Sequence, residues 1–156
     1  MREFSINRFS KELNEASLSE RDRTYEQSLE LIKLEQLDEG SVVLDLGSNY
    51  GDVLKGLQSC GCTVHAFEPH PFFYDYVKET YGENNNFIIS NKAAWIKNEE
   101  RNFYFKRSRD AKNGGATLMS EKTNILDPYL FDVVECFDIS EFINKLGHVD
   151  VLKIDV

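Results

Sequence analysis

The residues whose types and spacing suggest chemistry are concentrated in Asp45-Leu46-Gly47-Ser48-Asn49-Tyr50-Gly51 and, 21 positions after Gly47, in Glu68. Gly47 permits a sharp turn at the end of a strand. Gly51 lets the next helix start close to a sheet, with its free N–H groups toward a crevice where an anionic ligand group is attracted. An acidic side chain at the position of Glu68, ending a second strand, can accept hydrogen bonds from both hydroxyls of a ribose. Together these features outline a nucleoside-binding site.

The type of nucleoside follows from what the turn lacks. Dinucleotide binders use G-x-G-x-x-G, whose middle glycine admits a pyrophosphate. Here Gly47 and Gly51 enclose Ser48, Asn49 and the bulky Tyr50, which would crowd one. Asp45 beside the turn would repel phosphate and suits the ammonium of a methionyl group, so S-adenosylmethionine is the expected cofactor. Asp155, at the end of the last strand, is the candidate catalytic base for a hydroxyl acceptor; the bland alternative is a carboxylate that caps a helix.

These residues require strands and helices in a fixed order. Ser41 to Leu46 reads as a strand buried in a parallel sheet, Asp52 to Cys60 as a helix ending at Gly61, and Thr63 to Phe67 as a second strand. Pro71 opens a helix with Phe73, Tyr76, Val77 and Tyr81 on one face and Gly82 as its stop. Phe87 to Ile89, Ala93 to Ile96 and Phe103 to Phe105 read as strands, and Phe131 to Phe137 as a partner for 103 to 105. Asp138 and Glu141 fit a capping arrangement for a helix ending at Gly147, before a final strand from Val151 to Val156. The expected class is α/β, a mostly parallel sheet with flanking helices and an inserted antiparallel pair. Ser19 to Leu37 has helical period, so the chain divides into a helical arm, 1–39, and a nucleoside-binding domain, 40–156.

Composition narrows the function further. With 18 Lys and Arg against 27 Asp and Glu, the net charge is −9, which disfavours nucleic-acid partners. The longest apolar run, Ala93 to Ile96, is far shorter than the roughly 20 residues of a membrane span. The first residues lack the apolar core of a secretion signal, so a cytoplasmic location is expected. Cys60, Cys62 and Cys136 read as free structural thiols, and His65, His70 and His148 show no metal-ligand spacing, so no metal is expected. His70 reads as an exposed helix-start residue, Phe72, Phe73, Tyr74 and Tyr76 as core packing, and Lys106-Arg-Ser-Arg109 as a solvated charge run. Asn113 to Thr117 reads as a substrate loop or a hairpin connection.

Four segments, Val43-Leu-Asp-Leu-Gly-Ser-Asn-Tyr-Gly51, Val64-His-Ala-Phe-Glu-Pro-His-Pro71, Asn91-Lys-Ala-Ala94 and Leu152-Lys-Ile-Asp-Val156, resemble the FkbM-type methyltransferases of the class I S-adenosylmethionine-dependent fold. The resemblance spans residues 40–156. It implies that Asp45, Gly47, Ser48, Asn49 and Gly51 line the methionine end, that Glu68 holds the ribose and Pro69 shapes the adenine side, and that Asn91 to Ala93 approach the adenine. It further implies O-methylation of a sugar, polyketide or similar small acceptor. The family's motif continues past Lys-Ile-Asp-Val into further strands, so a C-terminal truncation is expected, with an uncovered edge at Val151 to Val156 open to a second copy. The alternatives are a non-catalytic nucleoside-binding or subunit-pairing module and, less favoured, a nicotinamide-dependent oxidoreductase.

Overall fold

The computed structural model describes residues 2–3, 26, 30, 36–105, 116–120 and 129–155. The elements bounded within the described residues are, in order, β1 (Arg2–Glu3), β2 (Val42–Leu46), α1 (Asp52–Leu57), β3 (Thr63–Phe67), α2 (Pro71–Tyr81), β4 (Phe87–Ser90), β5 (Ala93–Trp95), β6 (Glu99–Tyr104), β7 (Phe131–Asp138), α3 (Ile139–Leu146) and β8 (Val151–Ile154). Five strands make a fully parallel sheet in the order β1-β8-β2-β3-β4, and three make a second sheet, β5-β7-β6. The architecture is the expected α/β class.

Side-chain alternation decides which face each residue serves. Val43, Val64, Ala66 and Val151 point to one face of the parallel sheet, where Val53, Leu54 and Leu57 of α1 and Val77 and Tyr81 of α2 cover them. Leu44, Leu46, Phe67 and Leu152 point to the other, against Phe137 and the partly buried Ile139, Phe142 and Ile143. The third apolar cluster, Ala93, Phe103, Phe105, Val134 and Cys136, belongs to the second sheet and its flanks. The inserted pair is antiparallel as expected, with Phe103 opposite Asp132 and Tyr104 opposite Phe131, but β6 starts earlier, at Glu99, and β5 joins β7 in parallel.

Several local expectations are revised. Helix α1 closes at Leu57, and 58–60 continue as turn. At α3, Asp138 caps the Glu141 N–H at 3.0 Å, whereas the Asp138 N–H goes to Asn98 Oδ1 at 2.9 Å. Glu141 bonds Asn98 and Lys145 instead, so the reciprocal half of the box comes from a β5–β6 connection. Cys60 and Cys62 are joined in a disulfide, because Gly61 at φ 77° folds the chain back and brings their Cα atoms to 5.4 Å. The edge expected to be open at β8 is occupied by β1 through Arg2↔Val151 and Glu3↔Leu152. Most of the expected arm lies outside the described residues; Glu26 and Glu30 are helical, and Gln36 has left helical geometry at φ 53°. Among the described residues, no helix is long and apolar enough to cross a membrane.

Gly51 has a packing role that its motif does not reveal. It adopts φ 73°, and a Cβ there would lie 2.5 Å from Tyr81 Cε2 on α2. Gly51→Ala is therefore expected to destabilise the protein by about 2 kcal/mol or more in urea unfolding. Adding Tyr81→Leu should recover the steric part of that loss and leave the backbone part.

Candidate functional site

The carboxyl ends of β2, β3 and β8 meet the second sheet at a cavity of about 480 Å³, within the range of small-molecule sites. This is where a parallel α/β sheet presents a crevice. Of the expected site residues, Gly47, Asn49, Glu68, Pro69, Ala93 and Asp155 line it.

The turn after β2 is built from left-handed conformations at Gly47 (φ 84°), Asn49 (φ 50°) and Gly51 (φ 73°). Asparagine tolerates that region better than most side chains. The N–H groups of Gly47 and Ser48 both donate to Phe67 O, at 2.9 and 3.2 Å, and that of Gly51 donates to Ser48 O at 2.7 Å. The Asn49 N–H donates to Glu68 Oε2 at 2.7 Å. All four donors are thus used inside the protein. Neither Gly51 nor the first turn of α1, Asp52 to Leu54, lines the cavity, so the anion-attracting helix start expected there is not presented to it.

Glu68 is the centre of the site. It is 5% exposed, and its second oxygen accepts the His70 N–H at 2.8 Å, so one carboxyl bridges the turn after β2 and the start of α2. Burial pushes its pKa up to about 7, against the lowering pull of the two N–H bonds and Lys153, while the Asp45 charge raises it further. Each oxygen retains acceptor capacity beyond its one N–H bond. Asn91 holds the same corner from behind: its Nδ2 donates to the carbonyls of Glu68, at 2.8 Å, and Pro69, at 3.3 Å. Asn91 is therefore a buttress of the turn rather than a cavity-lining group.

Asp45 is not at the cavity either. It shares a face with Lys153, its registered neighbour on β8; the pair is buried, with Lys153 Nζ 2.9 Å from Asp45 Oδ1, and Lys153 also donates to Gly47 O. Its charge is matched by lysine, and it does not line the cavity where a ligand ammonium was expected to meet it. Ser48 is buried with its hydroxyl toward Asp45 O at 3.4 Å, and Gly51 lies against Tyr81; neither lines the cavity. Tyr50 packs edge-on to Phe73 and Tyr76, with ring centroids 4.8 and 5.5 Å away, so it does not crowd the cavity. Asp155 does line it, is 80% exposed at its side chain, and lies 4.0 Å from Lys153.

The residues missed in sequence lie on the far wall. Trp95, Phe103, Leu118 and Met119 line the cavity because the second sheet folds over the end of the first, and so do Ala116 and Thr117, the described part of the stretch expected as a substrate loop or hairpin connection. His70 is buried rather than exposed, 3% accessible, with its ring 4.7 Å from Phe73 and 5.0 Å from Phe105, and burial lowers its pKa. Phe73 serves both the core and the cavity wall. Among the described residues, no group of three or more His, Cys, Asp or Glu is placed to hold a metal ion.

The fold and site define an α/β protein with a small-molecule crevice at the carboxyl ends of a parallel sheet. Neither a protein-family model nor a curated protein matches the chain. A solved structure of YjhP from E. coli is similar over 57% of this chain and 38% of that one, at 20% identity and a TM-score of 0.36.

Two outcomes test this electrostatic arrangement. Because Glu68 holds its proton more tightly folded (about 7) than unfolded (4.5), its contribution to stability is complete below pH 4.5 and is lost as pH rises through 7. Urea unfolding at pH 5 and pH 8 should show Glu68→Gln flattening that decline, by up to about 3 kcal/mol. Lys153→Met, which strands Asp45, should cost about 3–5 kcal/mol at neutral pH, and the double variant with Asp45→Leu clearly less.

Proposed function

We propose that the chain binds S-adenosylmethionine at the Glu68 end of the cavity and belongs functionally with the FkbM-type O-methyltransferases that its motifs resemble. The observation that carries this reading is the Glu68 carboxyl, fixed by two backbone N–H bonds at the end of β3 with acceptor capacity left over. Two vicinal hydroxyls of a ribose match that arrangement. The charge of the cavity supports the same choice. The N–H groups of Gly47, Ser48, Asn49 and Gly51 are spent internally and Asp155 carries a carboxylate at the cavity mouth, so a pyrophosphate would find no free turn donors and a repelling charge where an ammonium finds attraction. This disfavours the nicotinamide alternative.

When bound, the cofactor supplies an electrophilic methyl on sulfur, and the electron pair of the broken S–C bond stays on the sulfur. The chain's part is alignment and proton handling. Glu68 orients the ribose and Pro69 shapes its adenine side. Asp155 is the carboxylate available at the cavity mouth, in the place expected for Asp45. It serves either as acceptor of the hydroxyl proton or as partner of the α-ammonium.

Calorimetric titration with S-adenosylhomocysteine tests the cofactor. Glu68→Ala should weaken binding by about ten- to a hundredfold, the loss of hydrogen bonds to a charged acceptor. Absence of binding to the folded wild-type chain would remove the reading. Asp155→Asn then separates its two roles. A fall in cofactor affinity marks an ammonium partner, whereas unchanged affinity with a turnover loss of about a hundredfold or more marks a base.

A further inference from the structure

The two ends of the cavity differ in chemistry. Gly47, Asn49, Glu68 and Asp155 make the end over the parallel sheet polar. The opposite end is made by Trp95 and Phe103 of the second sheet with Leu118 and Met119. Thr117 fixes this last pair beside β6, through a Tyr104 N–H to Thr117 O bond of 2.8 Å and a Thr117 N–H to Tyr104 O bond of 2.9 Å. Its hydroxyl is itself used as acceptor of the Met119 N–H at 3.2 Å. The Arg101 guanidinium, held by Glu99 at 2.8 Å, lies 4.3 Å over the Trp95 ring and keeps that wall in place.

Few polar groups serve this wall: Trp95 Nε1 and His70 Nδ1, buried with no hydrogen-bond partner among the described residues, and the Thr117 hydroxyl, whose proton remains to donate. Lys92 lines the cavity but is paired with Glu135, and Lys153 is taken up by Asp45 and Gly47 O. The remaining charged lining groups, Glu68 and Asp155, are acidic. A phosphorylated or carboxylated acceptor would meet repulsion. A sugar would leave several hydroxyls facing apolar walls without partners, each carrying a desolvation cost.

We propose that the apolar end is the acceptor subsite, shaped for a neutral alcohol with an apolar body, and that Leu118 and Met119 determine its specificity. The assignment rests on the cofactor reading above, which places the nucleoside at the polar end. It turns a stretch whose sequence suggests only a glycine-rich connection into the selecting wall of the site.

Trp95 is the single tryptophan of the chain and lines this end, so its fluorescence reports occupancy directly. The full-length chain is titrated with cyclohexylmethanol, cyclohexanecarboxylate and methyl β-glucoside, with and without saturating S-adenosylhomocysteine. The alcohol is expected to bind at least about tenfold more tightly than either of the others, the usual penalty for burying an unpaired polar group. Met119→Ser, at an exposed position, and Leu118→Ser are each expected to weaken alcohol binding at least about threefold, as loss of apolar contact. Calorimetric affinity for S-adenosylhomocysteine should stay within about twofold, since neither side chain is at the polar end. Equal or tighter binding of the glucoside or carboxylate overturns the proposed chemistry, and undiminished alcohol binding in both variants overturns the role of Leu118 and Met119. No fluorescence response to the alcohol, with normal S-adenosylhomocysteine heat, overturns the subsite and leaves the cofactor reading intact. A response to the alcohol without S-adenosylhomocysteine heat supports the neutral-alcohol site and removes the cofactor reading.

Discussion

One carboxyl group joins the parts of this site. Glu68 directly follows β3 and accepts the N–H of Asn49, in the turn after β2, and the N–H of His70, at the start of α2. Neither turn could keep its shape with those donors buried and unpaired, since an unsatisfied buried N–H costs as much as a lost hydrogen bond. The same side chain faces the cavity, so the group that fastens the loops is also the one proposed to meet the ribose. Its raised pKa records the compromise: burial penalises the charge more than two hydrogen bonds relieve it.

A second constraint acts beneath the turn. Strand pairing sets Asp45 beside Lys153 on a face otherwise filled by Val43, Val64 and Val151. In those surroundings either charge alone is untenable, and the pair is completed by Lys153 reaching Gly47 O. The lysine ties the glycine turn to β8 and withdraws the most prominent aspartate of the motif from ligand contact. The neighbouring exposed carboxylate, Asp155, is left at the cavity mouth, so the acidic character of that end survives with a different residue supplying it.

The second sheet gives the crevice its depth. An open parallel sheet alone offers only a shallow groove at its carboxyl ends. Here β5, β6 and β7 fold over that edge, held by the cluster of Ala93, Phe103, Phe105, Val134 and Cys136. Phe67 stacks on Phe137 at 4.2 Å, linking the end of β3 to β7, and the two sheets thereby share a wall. His70 lies where these surfaces converge, close to Phe73, Phe103 and Phe105, which is why a residue next to a proline at a helix start is buried.

The sequence by itself determined the properties that depend on near neighbours: the strands at Val42 and Thr63, the helix after Pro71, the glycine turn and the strand-end glutamate. Period-2 and period-3.6 apolar patterns and left-handed glycines are local, so they can be read from adjacent residues. That Gly47, Asn49, Glu68 and Asp155 line the cavity was legible because a parallel sheet brings the residues after its strands to one edge, whereas Pro69 and Ala93 were named through the family resemblance. Only the tertiary structure decided which of the motif's polar groups remain available. Asp45 was lost to a lysine 108 positions away and Asn91 to two carbonyls, while the disulfide, the cover of β8 by β1 and the burial of His70 all depend on chain segments meeting in space. Leu118 and Met119 carry no local signal of a ligand; their place in the cavity wall comes from the pairing of Thr117 with Tyr104, a contact between separate segments that no pattern along the chain encodes.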